Sequence, residues 1–549
     1  MKRILATLCL FTLSAPVVSF AGIAEGQTTH NLDIIWHCPK PDTFPWLAWG
    51  YAIAAGDFNN DSFIDIVSSL RISQNLPINW KIYFYSSNPL DTIPDIVISD
   101  YIGSSSPNAM CSGDFNGDGI TDLAISDPWG LDTLGRVDIF YGRTGFNLIP
   151  DTCIRGPALV WGCEFGRALA SGDVNGDGIS DIIAGAYWGN RVFIYYGDTL
   201  GIHTVPDVTL KSLYSENYGL TVASGGDMDG DGYDEVAVGA PYNYELYSAG
   251  GKVYIYRGGI SMDTLPYVWM FGERGGAWLG DFRIALVPNT NGSYATGFWG
   301  TTNMPTSLPD EPGKVYWVYG GESFDGLPDL SVMGDSADSY LGYSSAYAGD
   351  ADSNGYGDYV SGAVRENSKG GAAYFWLGSG DMNNTWDAYI RGIESSLLNG
   401  MYMHMGGTVT GVGDVDKDGK DDFAVSNYFA DTLRAIWICK YTGPGAGAQG
   451  PFEGLDIGRL KLFPNVPNPF GRSTAIRYQL KTNDHVSLRI YNIAGQLVRG
   501  LVNEHKTPGI HKVKWDGRNQ QGIKCSPGIY IYKLEAGGSS MTKRMTLLR

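Results

Sequence analysis

Short runs of alternating hydrophobic and polar residues, separated by glycine-rich turns, occupy most of the chain. Aromatic runs such as Val137–Tyr141, Val192–Tyr196, Val253–Tyr256 and Val315–Tyr319 recur, and shorter apolar runs such as Val236–Pro241 precede them. β-Branched and aromatic residues in runs of this kind favour strands. Hardly any segment has the spacing of an amphipathic helix. The pattern therefore predicts an all-β protein.

One acidic phrase recurs at intervals of about sixty residues. Its six copies begin 57, 59, 54, 123 and 64 residues apart, at Asp57, Asp114, Asp173, Asp227, Asp350 and Asp414. The interval of 123 residues is two periods, and a copy without carboxylates fills it at Val287–Asn291, after Leu279-Gly280. A glycine precedes every loop (Gly50, Gly103, Gly166, Gly219, Gly280, Gly342 and Gly406). Such self-similarity indicates a repeat fold of seven units.

Seven units of short strands suit a radial propeller, which leaves only short, protected sheet edges. A linear solenoid or a string of sandwiches is the alternative, but solenoid repeats are usually shorter and separate sandwiches are longer. We expect an all-β fold, a seven-bladed β-propeller over residues 31–442 followed by a small Ig-like β-sandwich. The strand Leu32–His37 has no partner in the first unit, so it should complete the last blade beside Arg434–Cys439.

The acidic phrase places carboxylate or amide side chains at loop positions 1, 3, 5 and 9. Position 6 is glycine in five of the six copies, with Ser62 as the exception, and position 7 can add its carbonyl oxygen. So many hard oxygen ligands suit Ca²⁺, whereas Mg²⁺ demands tighter octahedral geometry. No copy has an acid at position 12, so the loops are not EF-hands. The expected metal ligands are Asp57, Asn59, Asp61, Phe63, Asp65, Asp114, Asn116, Asp118, Ile120, Asp122, Asp173, Asn175, Asp177, Ile179, Asp181, Asp227, Asp229, Asp231, Tyr233, Glu235, Asp350, Asp352, Asn354, Tyr356, Asp358, Asp414, Asp416, Asp418, Lys420 and Asp422.

These loops hold 20 carboxylates at ligand positions. Two like charges about 5 Å apart repel by roughly 3 kcal/mol at an effective dielectric near 20, so each loop needs a cation. Up to six Ca²⁺ ions, one per intact loop, would change the formal net charge from −19 to about −7. Ordinary Asn/Asp/Gly turns are the alternative, but six in register favour metal sites. A structural role is expected, because ligation is coupled to folding.

Residues 31–442 resemble the FG-GAP repeat family, the seven-bladed propeller of integrin alpha subunits and many bacterial surface proteins. The matching motifs are Phe165-Gly166 and Val238–Pro241, whereas Trp49-Gly50, Tyr218-Gly219 and Leu341-Gly342 depart from Phe-Gly. The resemblance implies the propeller fold and calcium in the six intact loops. It does not imply integrin-like partners.

The N-terminus has the pattern of an export signal. Lys2 and Arg3 precede the apolar run Ile4–Val18, and small residues at Ser19 and Ala21 suit a cleavage site. A membrane anchor is the alternative, but the run is short and contains a proline. We expect residues 1–21 to be removed, with cleavage after Ala24 as the alternative, which leaves a secreted or outer-membrane-associated surface protein without a transmembrane span.

A Gly/Pro-rich linker over residues 443–454 precedes a final module, residues 455–549. This module carries 16 basic and 5 acidic residues, whereas the remaining 454 residues carry 23 and 53, so the net charges are +11 and −30. Opposite charge indicates two domains with different roles. The net charge of the whole chain argues against a nucleic-acid partner.

The final module resembles the Ig-like C-terminal domains of the type IX secretion sorting family and of the flagellar hook-capping protein. The motifs that carry the resemblance are Pro464–Phe470, Ile490–Val498, Trp515–Arg518, Gly528–Leu534 and the basic end Lys543–Arg549. The resemblance implies export across an outer membrane, with secretion or attachment machinery as a partner. A structural β module that only positions the propeller is the alternative.

Six cysteines remain after removal of the signal: Cys38, Cys111, Cys153, Cys163, Cys439 and Cys525. Closure of the ring suggests a bridge between Cys38 and Cys439, which would restrict the unfolded chain. Cys153 and Cys163 are a second candidate pair.

The chain lacks the motifs of a catalytic site, since no Gly-x-Ser-x-Gly, His-Glu-x-x-His or phosphate-binding loop occurs. Trp129, Trp188 and Trp299 in variable loops could stack on sugar rings or a protein partner, but packing in the core or rim is favoured for each of them. The sequence favours a monomeric, non-catalytic, calcium-stabilised adhesion or ligand-binding protein for a protein or glycan ligand. A glycan-active enzyme, such as a polysaccharide lyase or hydrolase, and a structural envelope component are the alternatives.

Overall fold

Short antiparallel strands account for nearly all regular structure in the part of the chain that is described, and a 3₁₀ turn lies at Tyr187–Gly189. The computed structural model describes residues 28–548 apart from 40–47, 72–80, 87–89, 91–93, 100–107, 130–133, 147–148, 158–161, 282, 289–293, 302–311, 323, 337–338, 367–369, 380–384, 393–403, 428–433, 444–460, 463–464, 466–469, 472, 481–482, 493–495, 507–508 and 538. The signal sequence, most of the linker and the centre of the degenerate acidic copy therefore lie outside the described residues.

Seven sheets of the same design follow one another through the described part of residues 28–441. We number them as blades 1 to 7. The strands are given from the inner to the outer edge of each blade. Blade 1 contains β3 (Ala48–Gly56), β4 (Asp65–Arg71), β5 (Lys81–Tyr85) and β6 (Ile96–Ser99); blade 2 contains β7 (Met110–Gly113), β8 (Asp122–Asp127), β9 (Arg136–Phe140) and β10 (Thr152–Arg155); blade 3 contains β11 (Leu169–Gly172), β12 (Asp181–Ala186), β13 (Arg191–Tyr195) and β14 (Val208–Lys211); and blade 4 contains β15 (Thr221–Ala223), β16 (Val236–Ala240), β17 (Lys252–Tyr256) and β18 (Val268–Phe271). Blade 5 contains β19 (Ile284–Val287), β20 (Thr296–Thr301), β21 (Lys314–Tyr319) and β22 (Leu330–Met333); blade 6 contains β23 (Leu341–Gly349), β24 (Asp358–Ala363), β25 (Ala372–Trp376) and β26 (Ala388–Arg391); and blade 7 contains β27 (Thr408–Gly413), β28 (Asp422–Ser426), β29 (Ala435–Tyr441) and β2 (Leu32–Pro39).

The inner strands close a ring. Each of β3, β7, β11, β15, β19 and β23 contacts the inner strand of the next blade, and β27 contacts β3. The second strands are buried on both faces, because a neighbouring blade covers each side; β8 and β12 are buried along their whole length. This is why they appear in the sequence as continuous apolar runs instead of alternating ones. The all-β propeller predicted from the sequence is confirmed.

The N-terminal segment completes the ring. β2 pairs antiparallel with β29, as predicted, and β1 (Thr28–His30) pairs with β26, so this segment joins blades 6 and 7. The predicted disulfides are wrong, since the structure joins neither pair. The register sets Cys38 opposite Ile436 and Cys439 opposite Ile34, so the two sulfurs belong to different rungs. Cys153 lies exposed on an outer strand, whereas Cys163 is buried.

Large aromatic side chains fill the space between blades. Between blades 5 and 6, Trp317 packs edge-on against Trp376 and Tyr359, with ring centroids 5.4 and 5.8 Å apart. Trp299 belongs to the core of the ring and is fully buried on β20, because its strand alternation directs it between blades. Trp299 therefore does not lie in a variable loop, and the core packing that the sequence favoured for it over ligand contact is confirmed.

The C-terminal module is a sandwich of two antiparallel sheets. One sheet contains β30 (Lys461–Leu462), β31 (Thr474–Leu480) and β34 (Gly509–Trp515), and the other contains β33 (Leu497–Lys506), β32 (Asp484–Asn492), β35 (Gly528–Ala536) and β36 (Ser539–Leu547). Its core lies between the sheets around the fully buried Trp515 and Tyr532. The predicted Ig-like sandwich is confirmed.

The basic module contacts the acidic propeller at the turn before β22. Lys512 pairs with Asp329 at 2.9 Å, and Arg477 donates a hydrogen bond of 2.7 Å to the carbonyl oxygen of Pro328. The opposite net charges of the two parts of the chain thus meet at this turn.

The closing strand offers a test of the ring. Trp36 on β2 is 7% exposed and packs edge-on against Tyr85 of blade 1, so Trp36→Ala should lower the free energy of unfolding by about 3–5 kcal/mol. Urea denaturation of the full chain measures this effect. Trp188→Ala, which truncates a tryptophan that is 64% exposed, is the control and should change stability by less than about 1 kcal/mol. Equal effects of the two substitutions would contradict the closing role of β2.

Candidate metal centre

The six acidic loops connect the inner strand to the second strand of blades 1, 2, 3, 4, 6 and 7. Because every blade has the same strand order, these connections all lie on one face of the ring, which we call the loop face. The turns between third and fourth strands share that face. The connections between second and third strands, and between blades, lie on the opposite face.

The carboxylate at position 1 organises each loop. In blade 3, Asp173 accepts hydrogen bonds from the backbone N–H groups of Asp177 at 3.0 Å and Gly178 at 2.8 Å. The bond from position 6 recurs at 2.7–2.9 Å in all six loops. Positions 4 and 6 both have positive φ in every loop, including Ser62 at 68°. Glycine suits these positions because it adopts the left-handed region without strain.

Positions 5 and 7 are joined in the same way throughout. The side-chain oxygen of position 5 accepts the N–H of position 7 at 2.8–3.1 Å. The position 7 residues are Phe63, Ile120, Ile179, Tyr233, Tyr356 and Lys420. Their side chains also reach the preceding loop: Ile179 and Tyr233 lie where a Cβ on Gly117 or Gly176 would be. This close approach explains the glycine at position 4 of those loops.

The acid at position 9 is buried at the root of each loop. In blade 3, Asp181 accepts hydrogen bonds from the N–H groups of Val174 at 2.9 Å and Gly197 at 3.0 Å. Burial raises the pKa of Asp65, Asp122, Asp181 and Asp422 to about 7, that of Asp358 to about 8 and that of Glu235 to about 9. A nearby cation would favour the ionised forms of these acids.

Three loops bring carboxylate oxygens together within 4.8 Å. The groups are Asp227, Asp229, Asp231 and Glu235 in blade 4; Asp350, Asp352 and Asp358 in blade 6; and Asp414, Asp416 and Asp422 in blade 7. Glu235 Oε1 and Asp422 Oδ1 are buried without a hydrogen-bond partner in the structure. A buried, unsatisfied carboxylate oxygen is costly, so these atoms fit a site that a cation completes.

In the described loops of blades 1, 2 and 3, oxygens from three different carboxylates do not come within 4.8 Å of one another. In these loops position 3 is an asparagine, namely Asn59, Asn116 or Asn175. Asn116 and Asn175 donate to the position 5 carboxylate at 3.1 Å. Their amide oxygens remain suitable ligands for calcium.

Basic side chains reach two of the loops. Arg257 pairs with Asp229 in blade 4, and Lys440 pairs with Asp416 at 2.7 Å and Asp418 at 3.3 Å in blade 7. Lys440 and its partners are partly exposed, so this pair stabilises the fold only weakly. A metal ion in either loop would compete with the basic side chain for the carboxylate at position 3.

Neighbouring loops are linked at several junctions of the ring. The N–H of position 8 donates to the carbonyl oxygen of position 1 in the preceding loop from Ser180 to Asp114 at 2.8 Å, from Asp234 to Asp173 at 3.0 Å and from Asp421 to Asp350 at 3.4 Å. The degenerate copy keeps this link, because Ala295 donates to the carbonyl of Asp227 at 2.7 Å. Its position 9 is Thr296, which is fully buried and carries no charge. Blade 5 thus retains the backbone links of a loop without the buried acid.

Sequence reasoning missed a second recurring aspartate. Asp207, which precedes the outer strand of blade 3, accepts a hydrogen bond from the N–H of Tyr196 at 2.8 Å and so caps the end of the third strand. The same cap is made by Asp95, Asp151, Asp329 and Asp387. The recurring dipeptides Pro94-Asp95, Pro150-Asp151, Pro206-Asp207 and Pro328-Asp329 were the signal. In blade 4, Tyr267 replaces the aspartate, and Arg257 lies 3.7 Å above its ring.

Family comparisons agree with this geometry. The FG-GAP repeat model matches residues 106–140, 165–199, 218–256 and 406–448, and the FlgD Ig-like domain model matches residues 470–540. The chain therefore contains FG-GAP repeats within its β-propeller and a FlgD Ig-like domain at its C-terminal end.

The FG-GAP propeller is similar to integrin alpha chains. It is 29% identical over 234 residues to integrin alpha-PS5 of Drosophila melanogaster, which covers 38% of this chain and 21% of that one. It is 30% identical over 212 residues to integrin alpha-5 of Xenopus laevis, covering 35% and 20%. The match therefore spans about a fifth of the integrin chains.

A solved structure was also similar over much of the chain. It comes from work on PorZ, a bacterial surface component of the type-IX secretion system of Porphyromonas gingivalis, and it is 12% identical with a TM-score of 0.36. The match covers 91% of this chain and 59% of that one. Within the described ranges, no helix has the length and hydrophobicity needed to cross a membrane.

The buried acids predict how calcium and pH act together. Without metal, the folded protein keeps protons on the position 9 acids up to pH 7–9, whereas the unfolded chain releases them near pH 4. The folded state therefore binds more protons, and its stability should fall as pH rises through this window. Calcium at these sites would be ligated by the ionised acids, so its affinity should rise with pH. The melting temperature in calcium should therefore exceed the melting temperature in EDTA by more at pH 8 than at pH 5.

At a calcium concentration one hundred times Kd, each occupied site should add about 2.7 kcal/mol of stability. Asp350→Asn should reduce the difference in melting temperature between the protein in calcium and the protein in EDTA at pH 8. Asp263→Asn, at an exposed aspartate outside the acidic loops, is the matched control and should leave the difference unchanged. A difference that is the same at both pH values would contradict metal binding by the buried acids.

Proposed function

We propose that the protein is a secreted or cell-surface adhesion or ligand-binding protein whose propeller is stabilised by up to six calcium ions. The observation that carries the proposal is the contrast between the two faces of the ring. The loop face concentrates the buried acids and their turns, whereas the opposite face carries exposed aromatic side chains. Metal-stabilised architecture and ligand binding are thus assigned to different faces.

Exposed aromatic residues cluster on the connections of blades 3 and 4. Trp188 is 64% exposed, Tyr214 69% and Tyr244 58%. Large exposed rings of this kind are common at binding sites, because they supply contact area at little conformational cost. We call these three side chains the aromatic track.

Hydrogen bonds hold the segments of the aromatic track side by side. The carbonyl oxygen of Asn190, next to the turn that carries Trp188, accepts the N–H of Ser212 at 3.1 Å. The carbonyl oxygen of Glu216 in turn accepts the N–H of Tyr242 at 3.1 Å. The buried Glu216 carboxylate also accepts hydrogen bonds from Ser212 at 2.6 Å and Tyr254 at 2.8 Å. This network supports a pre-organised surface.

The similarity to integrin alpha chains supports ligand binding, and the clusters of acids support a divalent cation. The expected ligand is a protein or a glycan, and the chain is expected to act as a monomer. A glycan-active enzyme is the second candidate function. No observation favours it over binding, and the experiment below separates the two.

The test is retention of ligands by the full chain. Immobilised protein in calcium is presented with a glycan array and a panel of extracellular-matrix proteins, and the flow-through is examined for cleavage products. We expect retention without turnover, and a loss of at least tenfold in affinity when Trp188, Tyr214 and Tyr244 are all replaced by alanine.

The control replaces three exposed apolar residues on the loop-face turns, Leu200, Val205 and Leu265, with alanine and should bind as the wild type does. Release of shortened glycans would establish the enzyme instead. Equal loss of binding in both triple variants would show that the aromatic track is not the binding surface.

We also propose that the FlgD Ig-like domain directs export or attachment at the outer membrane, with residues 1–21 acting as the signal. The domain is basic, whereas the propeller is acidic, and the two are joined at the turn that contains Asp329. The rest of the domain's basic surface is therefore available to a different partner. In a type IX-competent host, the full chain should reach the medium or the cell surface, whereas removal of residues 455–549 should retain it in the periplasm. Surface delivery of the truncated chain would contradict this role.

A further inference from the structure

The inner strands enclose a channel of about 880 Å³ along the axis of the ring. Its charged lining residues at the end away from the acidic loops are Arg167, Asp281 and Arg283, and Asp421 lies at the loop-face end. The first end, which we call the channel mouth, therefore holds two guanidinium groups and one carboxyl group. This local excess of positive charge stands within the part of the chain whose net charge is −30.

Arg167 is held in place by its neighbours. Its guanidinium donates to Asn108 Oδ1 at 2.8 Å, and Asn108 Nδ2 donates back to the Arg167 carbonyl oxygen at 2.5 Å, so blades 2 and 3 are joined reciprocally. The guanidinium also lies 5.9 Å from the ring centre of Trp129 and 5.8 Å from that of Tyr187. A planar, oriented guanidinium is well suited to bind a carboxylate.

Arg283 reaches the same space from the other side. Its guanidinium extends from blade 5 across the channel and donates to the carbonyl oxygen of Tyr51 in blade 1 at 3.2 Å. Asp281 lies close to Arg167, which opposes the effect of burial on its carboxyl group; burial raises the pKa of Asp281 to about 7. Asp281 is therefore partly protonated near neutral pH, whereas a guanidinium group is charged at this pH.

The aromatic track begins at this mouth. Tyr187, beside Arg167, packs edge-on against Trp188 with ring centres 5.9 Å apart. Tyr214 and Tyr244 lie on the neighbouring connections, which backbone hydrogen bonds join in turn to the segment of Trp188. Exposed rings are therefore present beside the mouth and on the adjoining connections of blades 3 and 4.

From this arrangement we infer that the channel mouth binds the carboxylate of an oligosaccharide that ends in an acidic sugar, a uronic or a sialic acid. The carboxylate lies against Arg167 and Arg283, and the remaining neutral sugar rings stack along the aromatic track. The inference rests on the proposed ligand-binding function and names its ligand class.

Charge favours this ligand over an acidic peptide. Two guanidinium groups lie at the mouth, and the connections that carry the track offer rings and polar groups such as Asn190 and Ser212, with Arg191 and Lys211 as their basic neighbours. A ligand with one terminal carboxylate and a neutral, ring-bearing remainder matches that order. A peptide with several carboxylates would place the others against a domain that is strongly acidic, which opposes its binding.

Calorimetry on the full chain in calcium tests the inference. The probes are a glucuronate-terminated xylotetrasaccharide and sialyllactose, each compared with its carboxyl methyl ester, which keeps the rings and removes the charge. We expect at least one acid to bind, with its ester at least tenfold weaker. Arg167→Gln and Arg283→Gln should each weaken the acid at least tenfold and leave the weak binding of the ester unchanged.

Arg155→Gln, on the outer strand of blade 2, is the matched control and should bind as the wild type does. Melting curves exclude an effect through unfolding. Failure of the folded protein to bind either acid, equal binding of acid and ester, or tighter Arg167-dependent binding of tetraglutamate would overturn the inference. If the array still shows ligands that depend on the aromatic track, the proposed function stands and only the acidic-sugar assignment fails.

Discussion

A buried acid at the root of each intact loop is the constraint on which the rest of the propeller depends. Asp181 and its equivalents are removed from water between two strands, so each is neutral or needs a compensating cation. The same side chain accepts backbone hydrogen bonds from its own loop and from the end of the third strand. The protonation or metal occupancy of this one group therefore couples the loop to the sheet.

Links between several neighbouring loops carry that local effect to the next blade. Where position 8 of one loop donates to the carbonyl oxygen of position 1 in the preceding loop, ordering one turn restrains its neighbour. Blade 5 shows what the design requires, since it keeps the link through Ala295 while Thr296 takes the place of the acid. The acidic phrase does not recur in the described connections of the opposite face, which leaves them available for variation in sequence and for binding.

Periodicity made the architecture predictable from the sequence. Recurring acids fixed the loop positions, and the unpaired strand Leu32–His37 identified the closing partner of the ring, because an unpartnered edge strand has to be satisfied. The disulfides were not predictable, because bonding depends on strand register, which offsets Cys38 from Cys439. The position of Trp299 depends on strand alternation, and the channel mouth depends on side chains from distant blades. Such three-dimensional proximity leaves no local signal in the sequence.

Counting the ions tests the central claim most directly. Full-length protein purified in calcium and passed through a desalting column is analysed by inductively coupled plasma mass spectrometry, and its fold is followed by circular dichroism as calcium is withdrawn. The account predicts several calcium ions per chain, up to six, and loss of propeller stability as they leave. A chain that carries no calcium, and whose stability is the same before and after chelation, would contradict it.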